Sequence, residues 1–164
     1  RDSTGKPAAE VGVWVGSVAG AREGRRGGQE WRTDRYGVAR VKALQPGLSV
    51  ATVSRAPGLA ATFSEEKEVR LGEEARFRLD LREGTTSCVR VLDSEGRPIE
   101  AAEVLLRDDR GFATPATRGA SGWEVVALPG SYVLEVTAGD RGRKTLPVRV
   151  GTEPVEFDVR LAGD

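Results

Sequence analysis

Asp93-Ser94-Glu95-Gly96-Arg97-Pro98-Ile99 repeats a stretch from the start of the chain, Asp2-Ser3-Thr4-Gly5-Lys6-Pro7-Ala8. Each reads as a tight turn. Gly accepts positive φ at such a corner, and Pro ends strand pairing because it has no N–H to give. Four further blocks recur in the same order. Gly37-Val38-Ala39-Arg40-Val41 answers Gly122-Trp123-Glu124-Val125-Val126, and Leu44-Gln45-Pro46-Gly47 answers Leu128-Pro129-Gly130. Val69-Arg70-Leu71-Gly72 answers Val148-Arg149-Val150-Gly151, and Phe77-Arg78-Leu79-Asp80-Leu81 answers Phe157-Asp158-Val159-Arg160-Leu161. Five blocks in one order imply duplication. The expected modules are 1–83 and 84–164.

The second copy reads most easily. Val89/Val91, Val104/Leu106, Val133/Val136, Leu146/Val148/Val150 and Val155/Phe157/Val159/Leu161 mostly keep the period of two of half-buried strands. Turn signals such as Asp108-Asp109-Arg110-Gly111 and Gly139-Asp140-Arg141-Gly142 separate them. In the first copy, Val69, Leu71, Ala75, Phe77, Leu79 and Leu81 fit strand spacing, broken by Gly72. No stretch of ten or more residues keeps a helical period free of Gly and Pro. The fold class expected is all-β, as two antiparallel sandwiches. Phe77 and Phe157 are expected in the cores, and Tyr132 should cap one with its ring while its hydroxyl reaches the rim.

The copies differ at their openings. Thr86-Ser87-Cys88-Val89-Arg90-Val91-Leu92 alternates like a strand and leads into the Asp93 turn, whereas only Arg1 precedes the Asp2 turn. Three explanations stand: the chain was cut there, the strand is dispensable, or another segment supplies it by strand addition. Because the chain opens on Arg1 and contains no Met, we expect a processed product or an excised fragment. The short link at Arg82–Thr85 suggests a semi-rigid rod.

Composition narrows the chemistry. The 25 basic and 25 acidic side chains cancel, which removes the basic surplus that nucleic-acid binding wants. No apolar run is long enough to span a bilayer, so membrane insertion is not expected. Absence of His closes off most triads, zinc sites and proton shuttles. The pairs Glu65-Glu66, Glu73-Glu74 and Asp108-Asp109 lie in turns or flank strands, where they read as solvated surface rather than acid–base machinery. No calcium-loop spacing occurs. Cys88, the single cysteine, sits in strand alternation and reads as a small hydrophobe. No catalytic residue, metal or cofactor is expected.

Taken in order, an opening strand, Asp-Ser-x-Gly-[Lys/Arg]-Pro, a strand such as Ala102–Leu106, the turn Thr117–Gly122, Leu128-Pro129-Gly130-Ser131-Tyr132 and a closing strand resemble the carboxypeptidase regulatory-like domain. That is a transthyretin-like (prealbumin-like) sandwich, and bacterial Cna-B-type repeats look similar. The likeness covers nearly all of the second copy. It covers the first from the Asp2 turn onward, apart from an enlarged segment between Val15 and Trp31 and Leu48 in place of Tyr132. It implies a bacterial secreted or cell-envelope protein, with the modules acting as spacers or docking units for another protein or another domain of the parent chain. Cna-B-type domains often close a Lys–Asn isopeptide bond. This chain has no Asn, so that cross-link is not expected.

One segment stands apart. Residues 16–30 read as a flexible loop carrying Arg22, Arg25 and Arg26 between Trp14 and Trp31. Arginines reach carboxylates or phosphates, and indole faces suit partner side chains or sugars. These five residues are the candidate partner-binding set, through protein docking there or at an exposed sheet edge, with carbohydrate binding on the Trp faces as the alternative. The basic tip Arg141-Gly142-Arg143-Lys144 reads as a solvated hairpin.

Overall fold

The computed structural model describes residues 6–25 and 27–161. Arg1, the Asp2–Gly5 part of the first turn, and Arg26 lie outside the described residues. The chain divides into two compact units, Arg1–Glu83 and Gly84–Asp164, and strands dominate both.

In the first unit, strands β1 (Gly12–Ser17), β2 (Gln29–Arg32), β3 (Gly47–Arg55) and β4 (Lys67–Val69) form one sheet in the order β2-β1-β3-β4. All its pairings are antiparallel. Val13 and Val15 of β1 join Val11, Ala51, Val53 and Leu81 in a small core. The opposite face of β1 is covered too. A one-turn helix, α1 (Val18–Arg22), follows β1 directly and buries Val18, Gly20 and Ala21. Ser17 caps it, its Oγ accepting the Gly20 N–H at 3.0 Å, which satisfies one of the donors a helix start leaves open. The enlarged segment is therefore partly folded, not the flexible loop expected from its glycines.

The second unit contains β5 (Thr85–Leu92), β6 (Glu103–Arg107), β7 (Ala113–Pro115), β8 (Thr117–Arg118), β9 (Trp123–Ala127), β10 (Gly130–Thr137), β11 (Arg143–Val150) and β12 (Glu156–Arg160). They make two sheets, β11-β10-β6-β7 and β12-β5-β9-β8. Val104, Leu106, Leu134 and Val136 of the first sheet meet Val89, Val91, Val125 and Val159 of the second in one core. The sheet β12-β5-β9-β8 has β5 between two neighbours, parallel to β12 and antiparallel to β9. On β10 the inward set is Tyr132, Leu134 and Val136, while Val133 is exposed, so the Val133/Val136 pairing is corrected by one register step.

One turn occurs three times among the described residues with the same bonds. The Asp34 carboxylate accepts the N–H groups of Tyr36 and Val38, Asp93 those of Glu95 and Arg97, and Asp108 those of Arg110 and Phe112. In each, the glycine three residues on (Gly37, Gly96, Gly111) has φ between 69° and 83°, where a side chain would be strained.

The second layer of the first unit differs from its copy. Residues 38–46 and 73–82 form no named strand, although burial still alternates: Ala75, Phe77 and Leu79 are half-buried between exposed Arg76, Arg78 and Asp80. Of the strand expected over Val69–Leu81 only Val69, the last residue of β4, lies in a strand, and Leu71 is 88% exposed in a turn. The reason is cooperative. In the second unit β12 and β9 both pair with β5, and no described strand lies between their counterparts in the first.

Candidate functional site

The candidate residues around α1 do not share one surface. Across the β1–β2 pair, Trp14 faces Glu30 and Val13 faces Trp31. Because side chains alternate across a sheet, Trp14 and Trp31 lie on opposite faces. Trp14 is 5% exposed, and its indole is pressed between Gly16 and Gly28. A buried ring offers no face to a ligand; Trp14 instead anchors the α1 segment to the sheet. Trp31 is 36% exposed on an edge strand, its Nε1–H donating to the Gln29 side chain at 3.2 Å.

The arginines diverge as well. Arg22 is largely exposed, with a 3.8 Å ion pair to Glu66. Arg25 folds inward at φ 67° and donates from a terminal nitrogen to the Val53 carbonyl at 3.4 Å, while its Nε is buried without a partner. Burial lowers its pKa to about 10, with attraction to Glu30 opposing the shift.

Several other withdrawn polar side chains hold the backbone together. Thr33 Oγ1 accepts the Val11 N–H and donates to the Ala8 carbonyl; Ser64 Oγ accepts the Ala51 N–H and donates to the Glu65 carbonyl. The Tyr132 hydroxyl donates to the Leu128 carbonyl at 2.9 Å, and burial raises its pKa. Glu135 is clamped by Arg107 at 2.9 Å and Arg143 at 2.7 Å. Burial pushes its carboxyl up, but the bonds and charges of these two arginines outweigh that and hold it below its ordinary value. Arg141 reaches Asp93 at 3.8 Å, and Lys144 donates to the Arg160 carbonyl at 3.1 Å. The basic tip is exposed to solvent, as expected, and its side chains also reach back to the sandwich. Spacing along the chain could not reveal that clamp, whose members lie on three strands or their ends.

Glu66 and Glu74 pair with Arg22 and Arg76. Asp108, expected to be solvated, is half-buried in its turn. Burial raises its pKa, against the N–H groups of Phe112 and Arg110. Cys88 is half-buried with its Sγ 3.6 Å from Ser121 Oγ. Among the described residues no three His, Cys, Asp or Glu side chains converge as a metal site would require. No described helix is long and apolar enough to cross a membrane.

Sequence reading also missed a cavity of about 1020 Å³ in the first unit. Its floor is the inner face of β1 and β3, with Val13, Val15 and Ala51. Its two walls are residues 37–44 and 69–81, which bring in Val41 and Phe77.

No protein-family model matches the chain, and no curated protein matches it. Among solved structures, the Bacillus anthracis TIE protein is similar at 16% identity and TM-score 0.44, over 99% of this chain and 32% of that one. This chain therefore spans about a third of that protein's length. The minor pilin GBS52 of Streptococcus agalactiae is similar at 14% identity and TM-score 0.35, over 97% of this chain and 85% of that one. The shaft pilin spaA of Lactobacillus rhamnosus GG gives 12% and 0.42, over 97% and 89%.

Proposed function

We propose that this chain is a non-catalytic structural and docking stretch of a bacterial secreted or cell-envelope protein, built from two transthyretin-like modules at 1–83 and 84–164. The observation that supports it is the structural employment of most of the withdrawn polar groups, the described exceptions being Arg25 Nε, Ser54 Oγ, Ser87 Oγ and Trp123 Nε1, which are buried without a partner. Thr33, Ser64, Asp93, Asp108, Tyr132 and Glu135 each hold a turn, a strand end or an ion pair. Every resolved carboxyl pKa shift belongs to a side chain engaged in this way, whereas catalytic sites set titratable groups apart for reaction. The envelope address rests on the motif resemblance alone. Among the described members of the candidate set, Arg22 and Trp31 are exposed enough to meet a partner protein, and burial of Trp14 weighs against a glycan platform.

Pulling the chain by its ends tests the reading. Two unfolding events are expected, each releasing on the order of 250–290 Å of contour for about 80 residues. A single event releasing the whole chain would overturn the two-module spacer. In parallel, quenching of Trp fluorescence by an arrayed glycan would move the assignment to carbohydrate recognition.

A further inference from the structure

The cavity of the first unit has the walls of a strand site. In the second unit β5 lies parallel to Glu156–Arg160 and antiparallel to Trp123–Ala127, and buries Ser87, Val89 and Val91. The repeat places Phe77–Leu81 where Phe157–Leu161 stands, and residues 37–44 where 121–128 stand, half-buried Ala39 and Val41 answering the inward Trp123 and Val125. Those are the two walls of the cavity, and its floor is the apolar face of β1 and β3.

Charge then says what kind of strand fits. Arg90 of β5 turns outward and bonds Asp158 at 2.7 Å and Glu156 at 3.4 Å on its parallel neighbour. At the matching positions the first copy has Arg76 and Arg78, both exposed. On the other wall Arg40 and Lys42 are exposed too. The acids nearest in sequence, Glu74, Asp80 and Asp34, make 3.0–3.3 Å pairs with Arg76, Arg78 and Arg40, but such exposed pairs hold their partners only weakly. The outward rims of the slot are therefore the reverse of the rim that receives Arg90.

We propose that this slot accepts an extended peptide strand of about eight residues, apolar at alternate positions and acidic on the outward face, entering from the amino side of Asp2 as β5 enters Asp93. It runs parallel to 75–81 and antiparallel to 38–44, completing the second sheet. This inference does not depend on the spacer reading, and the tests read different things.

The experiment extends the full chain at Arg1 with a copy of Thr85–Val91 carrying Cys88→Ser and Arg90→Glu. Hydrogen exchange of amides 38–44 and 75–81 is then compared with that of the parent chain. The Glu-bearing strand is expected to slow exchange at least tenfold. A copy that retains Arg90 should protect less at low salt, with the gap narrowing as salt screens the rim. Arg76→Glu combined with Arg78→Glu should reverse that preference. Unchanged exchange with the Glu-bearing strand overturns the slot, and equal protection by the Arg-bearing copy at low salt overturns its acidic specificity. The same peptide added free at micromolar concentration is expected to do little, since tethering supplies a far higher local concentration. Equal protection by the free peptide overturns delivery from the amino side and makes the slot an acceptor for a separate chain.

Discussion

A Cβ added to Gly28 would stand 2.2 Å from Cε2 of Trp14, so the indole lies directly on this glycine's backbone. Gly16 closes the ring from another side, where an added Cβ would meet Cζ2 at 2.5 Å. Gly28→Ala forces the buried ring or the backbone to move and should destabilise the first unit by about 1–3 kcal/mol. Trp14→Ala leaves a cavity and should cost about 3–5 kcal/mol. Gly151→Ala, whose new Cβ meets nothing nearer than 3.9 Å, should stay within about 0.5 kcal/mol of the parent. Urea denaturation followed by Trp fluorescence checks all three, and equal losses at Gly28 and Gly151 would contradict the contact.

Two aspartates doing the same turn work titrate in opposite directions. The N–H of Arg97 is the foremost influence lowering the Asp93 pKa, and the Arg97 side chain adds to it against burial. At Asp108 burial dominates and raises the pKa. Asp108→Asn keeps an oxygen for the Arg110 and Phe112 N–H groups and removes a charge that folding disfavours. It should raise Tm at neutral pH, and the gain should fade as pH falls toward about 3.9, where the unfolded carboxyl also protonates. Asp93→Asn loses the ion pairs to Arg97 and Arg141, so Tm should fall at neutral pH and converge with the parent in acid. Thermal melts from pH 3 to 8 decide it; the same sign for both variants at neutral pH would refute the distinction.

Glu135 holds β6 and β11 to β10 through Arg107 and Arg143. Its folded pKa lies below the ordinary carboxylate value, so its contribution is present above the unfolded pKa and is lost as pH falls through the folded one. Glu135→Ala should cost roughly 1.5–3 kcal/mol at neutral pH. The difference from the parent should shrink steadily below the unfolded pKa. Chemical denaturation at three pH values measures this, and a difference that does not change with pH would show that the loss is one of packing alone.

Much of the fold was legible because turns are local. Asp93-Ser94-Glu95-Gly96 carries its own hydrogen bonds and its own positive φ, so the sequence announces it. Alternation located β5, β6 and β12 for the same reason. What failed was set by distant partners. Residues 73–82 have the strand pattern but no ladder, because pattern specifies which side chains face inward and a neighbour supplies the hydrogen bonds. Trp14 looked available beside a Gly-rich segment, yet glycines are what let the backbone close over its ring. The Arg143 ion pair was not legible because Glu135 approaches it only through the β10–β11 pairing.

That difference can be measured at one position of the repeat. Val159 and Leu79 correspond, but Val159 is 0% exposed in a paired strand while Leu79 is half-buried beside the cavity. Val159→Ala removes two methyl groups from a closed core and should cost about 1.5–3 kcal/mol. Leu79→Ala removes more atoms, yet water already reaches part of them, so the loss should be only about 1 kcal/mol. Trp14 and Trp31 report on the first unit and Trp123 on the second, so denaturation can be followed in each. If Leu79→Ala proves the more damaging change, the second layer of the first unit is as tightly closed as its copy. In that case there is no room for an added strand.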